Sequence, residues 1–217
     1  MKQTLRKIHK RATIFELILI GVWILLLQTY MATNSFIAET KFMLQNPMLI
    51  LLNGLPIGVA LVLLCCLTRN SFVSGGIANA VFGLMSYANL LKIDGRDDPF
   101  VPGDIALLRE AMKATGEYRL DMHWGIVAII VLSTAAMIFL GIYLGKSQKN
   151  RKVFRLIAAI LALSVLAGAY FKLYKNKELY ASFPVSSAYN ITAVFNELGF
   201  NYCFLYNLNL YAADKPD

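Results

Sequence analysis

Five apolar runs of membrane-crossing length dominate this sequence, at 13–31, 47–67, 72–91, 124–144 and 153–173. They are 19, 21, 20, 21 and 21 residues long. As helices rising about 1.5 Å per residue, each reaches roughly 30 Å, the thickness of a bilayer's hydrocarbon core. Of the 217 residues, 58% are hydrophobic and 16% charged, against about 45–50% and about 25% in soluble domains. Lipid is the solvent that suits so much apolar surface. The expected fold class is therefore an all-α integral membrane protein with five transmembrane helices and short interfacial helices on the outer side. The first run follows a basic leader, but it is long and lacks a small-x-small cleavage site, so it reads as a retained span.

The net charge of +8 is placed by topology and not by a nucleic-acid partner. Lys2, Arg6, Lys7, Lys10 and Arg11 precede the first run, Arg69 lies between the second and third, and Lys146, Lys149, Arg151, Lys152 and Arg155 flank the fourth connection. These segments carry 11 basic residues, with Glu16 the one acid near them, while the rest of the chain holds 10 basic and 12 acidic residues. Lys and Arg gathered in short connections on one side is the positive-inside pattern. It predicts a multi-pass protein of the cell membrane, with its N-terminus cytoplasmic and its C-terminus extracytoplasmic. Five helices over 1–173 form the membrane domain, and 174–217 is a juxtamembrane segment.

Within the spans, Gly54-Leu-Pro56-Ile-Gly58 predicts a kink, because proline removes a helix hydrogen bond. Gly141 and Gly145, four apart, together with Ala158, Ala162 and Gly168 in the last run, predict a tight hairpin of the fourth and fifth spans. Gln28 and Tyr30 read as an interfacial pair. The apolar centres lack ionisable residues, which argues against an ion pump or proton-coupled carrier. Cys65, Cys66 and Cys203 read as packing residues.

Two outer segments are more polar. In 92–123, Ile105, Leu108 and Met112 recur at helical spacing with Arg109 and Lys113 on another face, predicting a short interfacial helix with Asp104 as its N-cap. The segment 174–217 is rich in Tyr, Phe and Asn, and is expected to lie at the membrane surface. Catalytic patterns are missing from the sequence. His9 and His123 fall on opposite sides, the cysteines lack zinc spacing, and no phosphate loop, GxSxG elbow or HExxH occurs. No catalytic residue and no cofactor or metal is expected within these 217 residues.

One stretch carries a family likeness. Asn89, Lys92, Arg96, Pro99, Pro102 and Asp104 are spaced as in the segment after the third span of the lipoteichoic acid synthase family, the sulfatase-like phosphoglycerol transferases, which this chain resembles. Tyr189-Asn190, Asn196-Glu-Leu-Gly199-Phe200 and Lys215-Pro216 are similar to that family's segment after span five. The layout matches over nearly the whole chain, the motifs over about 30 residues of it.

The resemblance implies a membrane-anchoring domain that presents lipid, such as phosphatidylglycerol, to an extracellular sulfatase-like domain in cis. That domain would hold the threonine nucleophile and a manganese-type divalent metal, and none of it lies within this sequence. Lys92, Arg96 and Arg109 are then the expected headgroup cations, and Asn89, Pro99, Pro102 and Asp104 the structural loop motif. Two other readings stay open. One is a stand-alone transporter or lipid-flippase subunit, which an ionisable midplane pair or an internal repeat would favour. The other is a non-enzymatic scaffold or regulator acting through the outer aromatic segment.

Overall fold

The computed structural model describes residues 2–32, 36–105, 122–143, 152–187 and 189–213. Among these, all regular structure is helical. In chain order the helices are α1 (Lys2–Ala32), α2 (Phe36–Gln45), α3 (Pro47–Thr68), α4 (Ser71–Arg96), α5 (Trp124–Tyr143), α6 (Lys152–Ala169), α7 (Lys177–Ala181), α8 (Ile191–Leu198) and α9 (Phe200–Ala213). One wider turn, Tyr170–Tyr174, extends α6 through an i→i+5 bond from Lys175 N to Tyr170 O of 2.9 Å.

Among the described residues, four helical stretches are long and apolar enough to cross a membrane: Thr13–Met31, Pro47–Thr68, Trp124–Tyr143 and Lys152–Tyr174. The third expected run does form a helix, α4, 26 residues long. It is less apolar than the others because it carries Ser74, Asn79, Ser86, Asn89 and several glycines. Their packing explains the departure. Ser74, Asn79, Ser86 and Asn89 are all at most 2% exposed, so α4 turns its polar groups inward and not toward a surrounding solvent.

The chain divides into two compact units, each assembled from three separate segments. In the unit of Met1–Leu27, Gly54–Leu84 and Gly125–Ala167, Ile20, Ile24, Ile57, Leu61 and Ala78 form the core. Asn79 binds this unit together. Its Nδ2 donates to Ser133 Oγ and Thr134 Oγ1, both at 2.9 Å, and its Oδ1 accepts from Trp23 Nε1 at 3.1 Å. An unpaired buried amide costs several kcal/mol in an apolar medium, so this one asparagine fixes how α1, α4 and α5 meet. At Gly75, a Cβ would stand 2.8 Å from Ile20 Cδ1, which keeps α1 and α4 in close contact.

The start of α4 is set by Asn70. Its Oδ1 accepts from Phe72 N (3.0 Å) and Val73 N (3.2 Å), an N-cap, while its Nδ2 donates to Gly141 O at 2.7 Å. Gly141 therefore packs on α4: a Cβ there would lie 2.7 Å from Val73 Cγ2. Gly141 was expected to pack on the fifth span, but its near neighbours lie at the start of α4. Gly145 lies outside the described residues, and in α6 the first buried residue is Ala169. A polar tie holds α6 to the end of α3, where Arg155 Nη1 donates to Cys66 O at 3.1 Å. The carbonyls of a helix's last turn lack intrahelical partners and take such donors readily.

The second unit comprises Gln28–Asn53, Met85–Trp124 and Gly168–Asp217. Its centre is a buried polar network. Gln28 and Asn201 pair reciprocally, Nε2 to Oδ1 at 3.1 Å and Nδ2 to Oε1 at 2.7 Å, and Gln28 Nε2 also donates to Ser86 Oγ at 2.9 Å. Gln28 is thus a core residue of this unit, 4% exposed. The segment after 174 contributes to the same core. Tyr174, Phe195, Leu198, Tyr202 and Cys203 are all at most 1% exposed, so the segment builds the unit's core.

Pro56 explains one of these contacts. Proline has no N–H to donate to the carbonyl four residues back, here Leu52. Tyr174 Oη donates to that carbonyl at 2.6 Å, and the next carbonyl, Asn53 O, accepts from Asn201 Nδ2 at 2.9 Å. Tyr174→Phe should therefore cost about 1–3 kcal/mol by leaving a buried carbonyl unpaired. In a Pro56→Ala background the restored N–H takes up Leu52 O, and most of that cost should vanish. Thermal unfolding of the four variants in detergent measures the coupling. Equal costs in both backgrounds would separate the tyrosine from the proline.

Candidate functional site: the loop after α4

The residues of the first family-like motif come together at the C-terminal end of α4. The helix runs on to Arg96 and stops at Asp97, whose φ of 50° is left-handed. Aspartate tolerates that region better than most side chains, which suits it to end a helix. Asp97 N still reaches Ile93 O at 2.8 Å, and Asp97 O accepts from Thr192 Oγ1 of α8 at 2.9 Å.

Lys92, one turn back, gathers the loop that follows. Its Nζ lies 2.6 Å from Asp98 Oδ2, 2.9 and 3.1 Å from the two oxygens of Asp104, and 2.9 Å from Pro99 O. Asn89, a further turn back, accepts from Phe100 N at 2.8 Å. The two helix residues thus hold the loop at four successive or nearby positions. Phe100 then stacks on Phe204 of α9, ring centroids 6.0 Å apart at 12°.

Asp104 acts differently from expectation. A helical turn begins at 102, with Val101 as its cap and Pro102 first in the helix, where a missing N–H is harmless. Asp104 is the third helical residue, and its Oδ2 reaches back to Val101 N at 2.8 Å. That is the returning half of a capping box, not the N-cap itself. The rest of the expected interfacial helix, with Leu108, Arg109, Met112 and Lys113, lies outside the described residues.

The electrostatics follow from this clamp. Burial alone would lower the Lys92 pKa, but the hydrogen bonds and charges of Asp98 and Asp104 prevail and raise it above the ordinary lysine value. Its contribution to holding the loop is complete below the unfolded value of about 10.4 and is lost only as pH climbs through the raised one. Lys92 is therefore a structural cation here, with its charge met by two carboxylates. Those carboxylates are in turn occupied by an ammonium group where a metal ion would have to sit. Among the described residues no three His, Cys, Asp or Glu side chains converge on a common point.

Arg96 is exposed at the end of α4. Nearby, His123 Nε2 lies 2.6 Å from Asp94 Oδ2, both side chains partly in solvent, and His123 N donates to Tyr87 Oη at 3.1 Å. This pair fastens the start of α5 to α4. Sequence reasoning missed it, and missed Asp98 and Thr192 as partners of the loop. Nothing in local spacing links residues 94 and 123, or 97 and 192.

The second family-like motif has its own structural role. Gly199, between α8 and α9, has φ of 89°, and a Cβ there would stand 2.5 Å from both amide atoms of Asn53. The Asn53 amide uses that space to donate to Leu198 O at 2.7 Å and to accept from Tyr202 N at 3.1 Å. Asn190 caps α8 by accepting from Ala193 N at 3.0 Å.

Fold and site together define an all-helical protein with the apolar helices of the multi-pass membrane class. Comparison with protein-family models, with curated proteins and with solved structures finds no match to this chain.

Proposed function

We propose that this chain is the membrane-embedded part of a phosphoglycerol transferase system of the lipoteichoic acid synthase type, with five crossings, a cytoplasmic N-terminus and an extracytoplasmic C-terminus. In this reading it anchors the catalytic domain and holds an anionic lipid such as phosphatidylglycerol beside it. The observation that carries the reading is the interlocking of the motif residues. Asn89, Lys92, Pro99 and Asp104, singled out by the family resemblance, form one clamp within a single loop. The Asn196 to Phe200 motif likewise centres on a glycine whose space is filled by Asn53. Both motifs thus have a physical reason for their residue types.

In this assignment the clamp positions and Arg96 recognises. A guanidinium pairs a phosphate through two parallel N–H groups, and Arg96 is the motif cation at an exposed position. Lys92 rigidifies the loop that carries it. No nucleophile and base are paired among the described residues of this loop, so the reaction itself is assigned to the extracellular sulfatase-like domain.

Arg96→Ala, introduced in the chain's native genomic setting, should lower glycerol phosphate incorporation into membrane-anchored polymer about tenfold, the loss of roughly 1.4 kcal/mol of charged contact. Arg96→Lys should fall between. Protein levels in the membrane should not change. Wild-type incorporation in both variants would reduce the loop to a connector. A strain lacking the chain that still makes the polymer normally would overturn the whole reading.

A further inference from the structure

Helix α2 has an inverted pattern of burial. Ten residues long, it follows α1 after three residues and precedes α3 by one. At 100° per residue, Ile37 and Leu44 point within about 20° of each other. They are its most exposed large apolar side chains, at 81% and 67%. Toward the opposite side lie Met43 and the carboxylate-bearing Glu39, 6% and 8% exposed. Met43 meets Thr29 at the end of α1, its sulfur 3.9 Å from Oγ1, and α2 packs against α8. A helix on a water-facing surface would turn the isoleucine and leucine in and the glutamate out. This one does the reverse.

Charge and connectivity say what covers that face. Lys41, exposed, flanks Ile37 and Leu44 on the same side of the helix. Tyr30, half exposed at the end of α1, meets the Phe36 ring edge-on at 6.1 Å. An apolar stripe bordered by lysine and an aromatic pair is the composition of a helix in the headgroup region. Its height is fixed as well, because it joins the end of one membrane-crossing helix to the beginning of another.

We propose that α2 is an interfacial helix. Ile37 and Leu44 enter the boundary between acyl chains and headgroups, and Lys41 pairs with the phosphate of an anionic lipid in that leaflet. The assignment rests on the multi-pass reading of the chain, and the experiment separates the two.

The test uses the full chain with Cys65 and Cys66 replaced by alanine, reconstituted in phosphatidylcholine vesicles with or without phosphatidylglycerol. A small fluorophore is attached at Ile37→Cys, Leu44→Cys or, on the exposed face of α5, Leu132→Cys. Labels at 37 and 44 should lose emission to a lipid carrying a quencher near its headgroup, and be shielded from aqueous iodide. Phosphatidylglycerol should deepen that loss, and Lys41→Gln should abolish the phosphatidylglycerol-dependent part. If the label at 132 is quenched from lipid while those at 37 and 44 respond to iodide alone, or to neither quencher, α2 faces water or protein and the inference is overturned. If no label responds to lipid quenchers, the membrane-crossing reading falls with it. Quenching at 37 and 44 that ignores both phosphatidylglycerol and Lys41→Gln would overturn the anionic-lipid contact.

Discussion

Gly199→Ala should destabilise the protein by about 3 kcal/mol, lowering its Tm in detergent by roughly 6–12 °C. Two costs add. The backbone at 199 sits at a φ of 89°, where a Cβ is strained, and that Cβ would fall 2.5 Å from the Asn53 amide. Asn53 has little freedom to retreat, because Leu198 O, Leu49 O and Tyr202 N hold it on three bonds. Gly54→Ala and Gly58→Ala are the internal comparison. Both lie inside α3 with nothing within 4 Å of the added methyl. There alanine should be neutral or stabilising by about 0.5–1 kcal/mol, since it reduces the freedom of the unfolded chain. A Gly199→Ala variant as stable as the parent would mean the α8–α9 corner does not depend on Asn53.

Thiol labelling should give an all-or-none pattern that reports orientation. Cys203 is fully buried, its sulfur 3.7 Å from Val194 O. Burial pushes its thiol well above the usual range, although Tyr180 Oη, 4.0 Å away, acts in the other direction. Both a low thiolate fraction and lack of access keep it from reacting. In the native protein Cys203 should resist an impermeant maleimide and react only on unfolding. Tyr189 is wholly exposed, so Tyr189→Cys is the better reporter. With Cys65 and Cys66 replaced by alanine, Tyr189→Cys should be modified on intact cells if five crossings follow a cytoplasmic start. Modification only after permeabilisation would reverse the orientation and remove the extracytoplasmic placement of the loop after α4.

Several features of this protein were legible in the order of its residues. The apolar runs located the five long helices, because length and hydrophobicity are local quantities, although α1 begins at Lys2, well before its run, and α4 continues past its run to Arg96. Pro47 as the first residue of α3 follows from local rules in the same way. The motif positions Asn89, Lys92, Pro99 and Asp104 stood out through the family resemblance, but the clamp they form did not, since Asp104 was expected as an N-cap and Lys92 as a headgroup cation.

Other features depended on groups far apart in the chain. Gln28 reads as interfacial until Asn201, 173 positions later, supplies its partner. The amide at 79 lowers the apolarity of α4, and only Trp23, Ser133 and Thr134 explain why that is tolerated. Gly141 has the spacing of a helix-pairing motif, yet spacing does not say which helix it meets. Its neighbours turned out to be Asn70 and Val73. The sequence alone determined where the long apolar helices lie, since that depends on side-chain solvation and backbone bonds within a few residues, whereas the short helices α2, α7, α8 and α9 were not legible in it. The tertiary structure decided which polar groups are buried, because a hydrogen-bonding side chain enters an apolar interior only where a distant partner meets it.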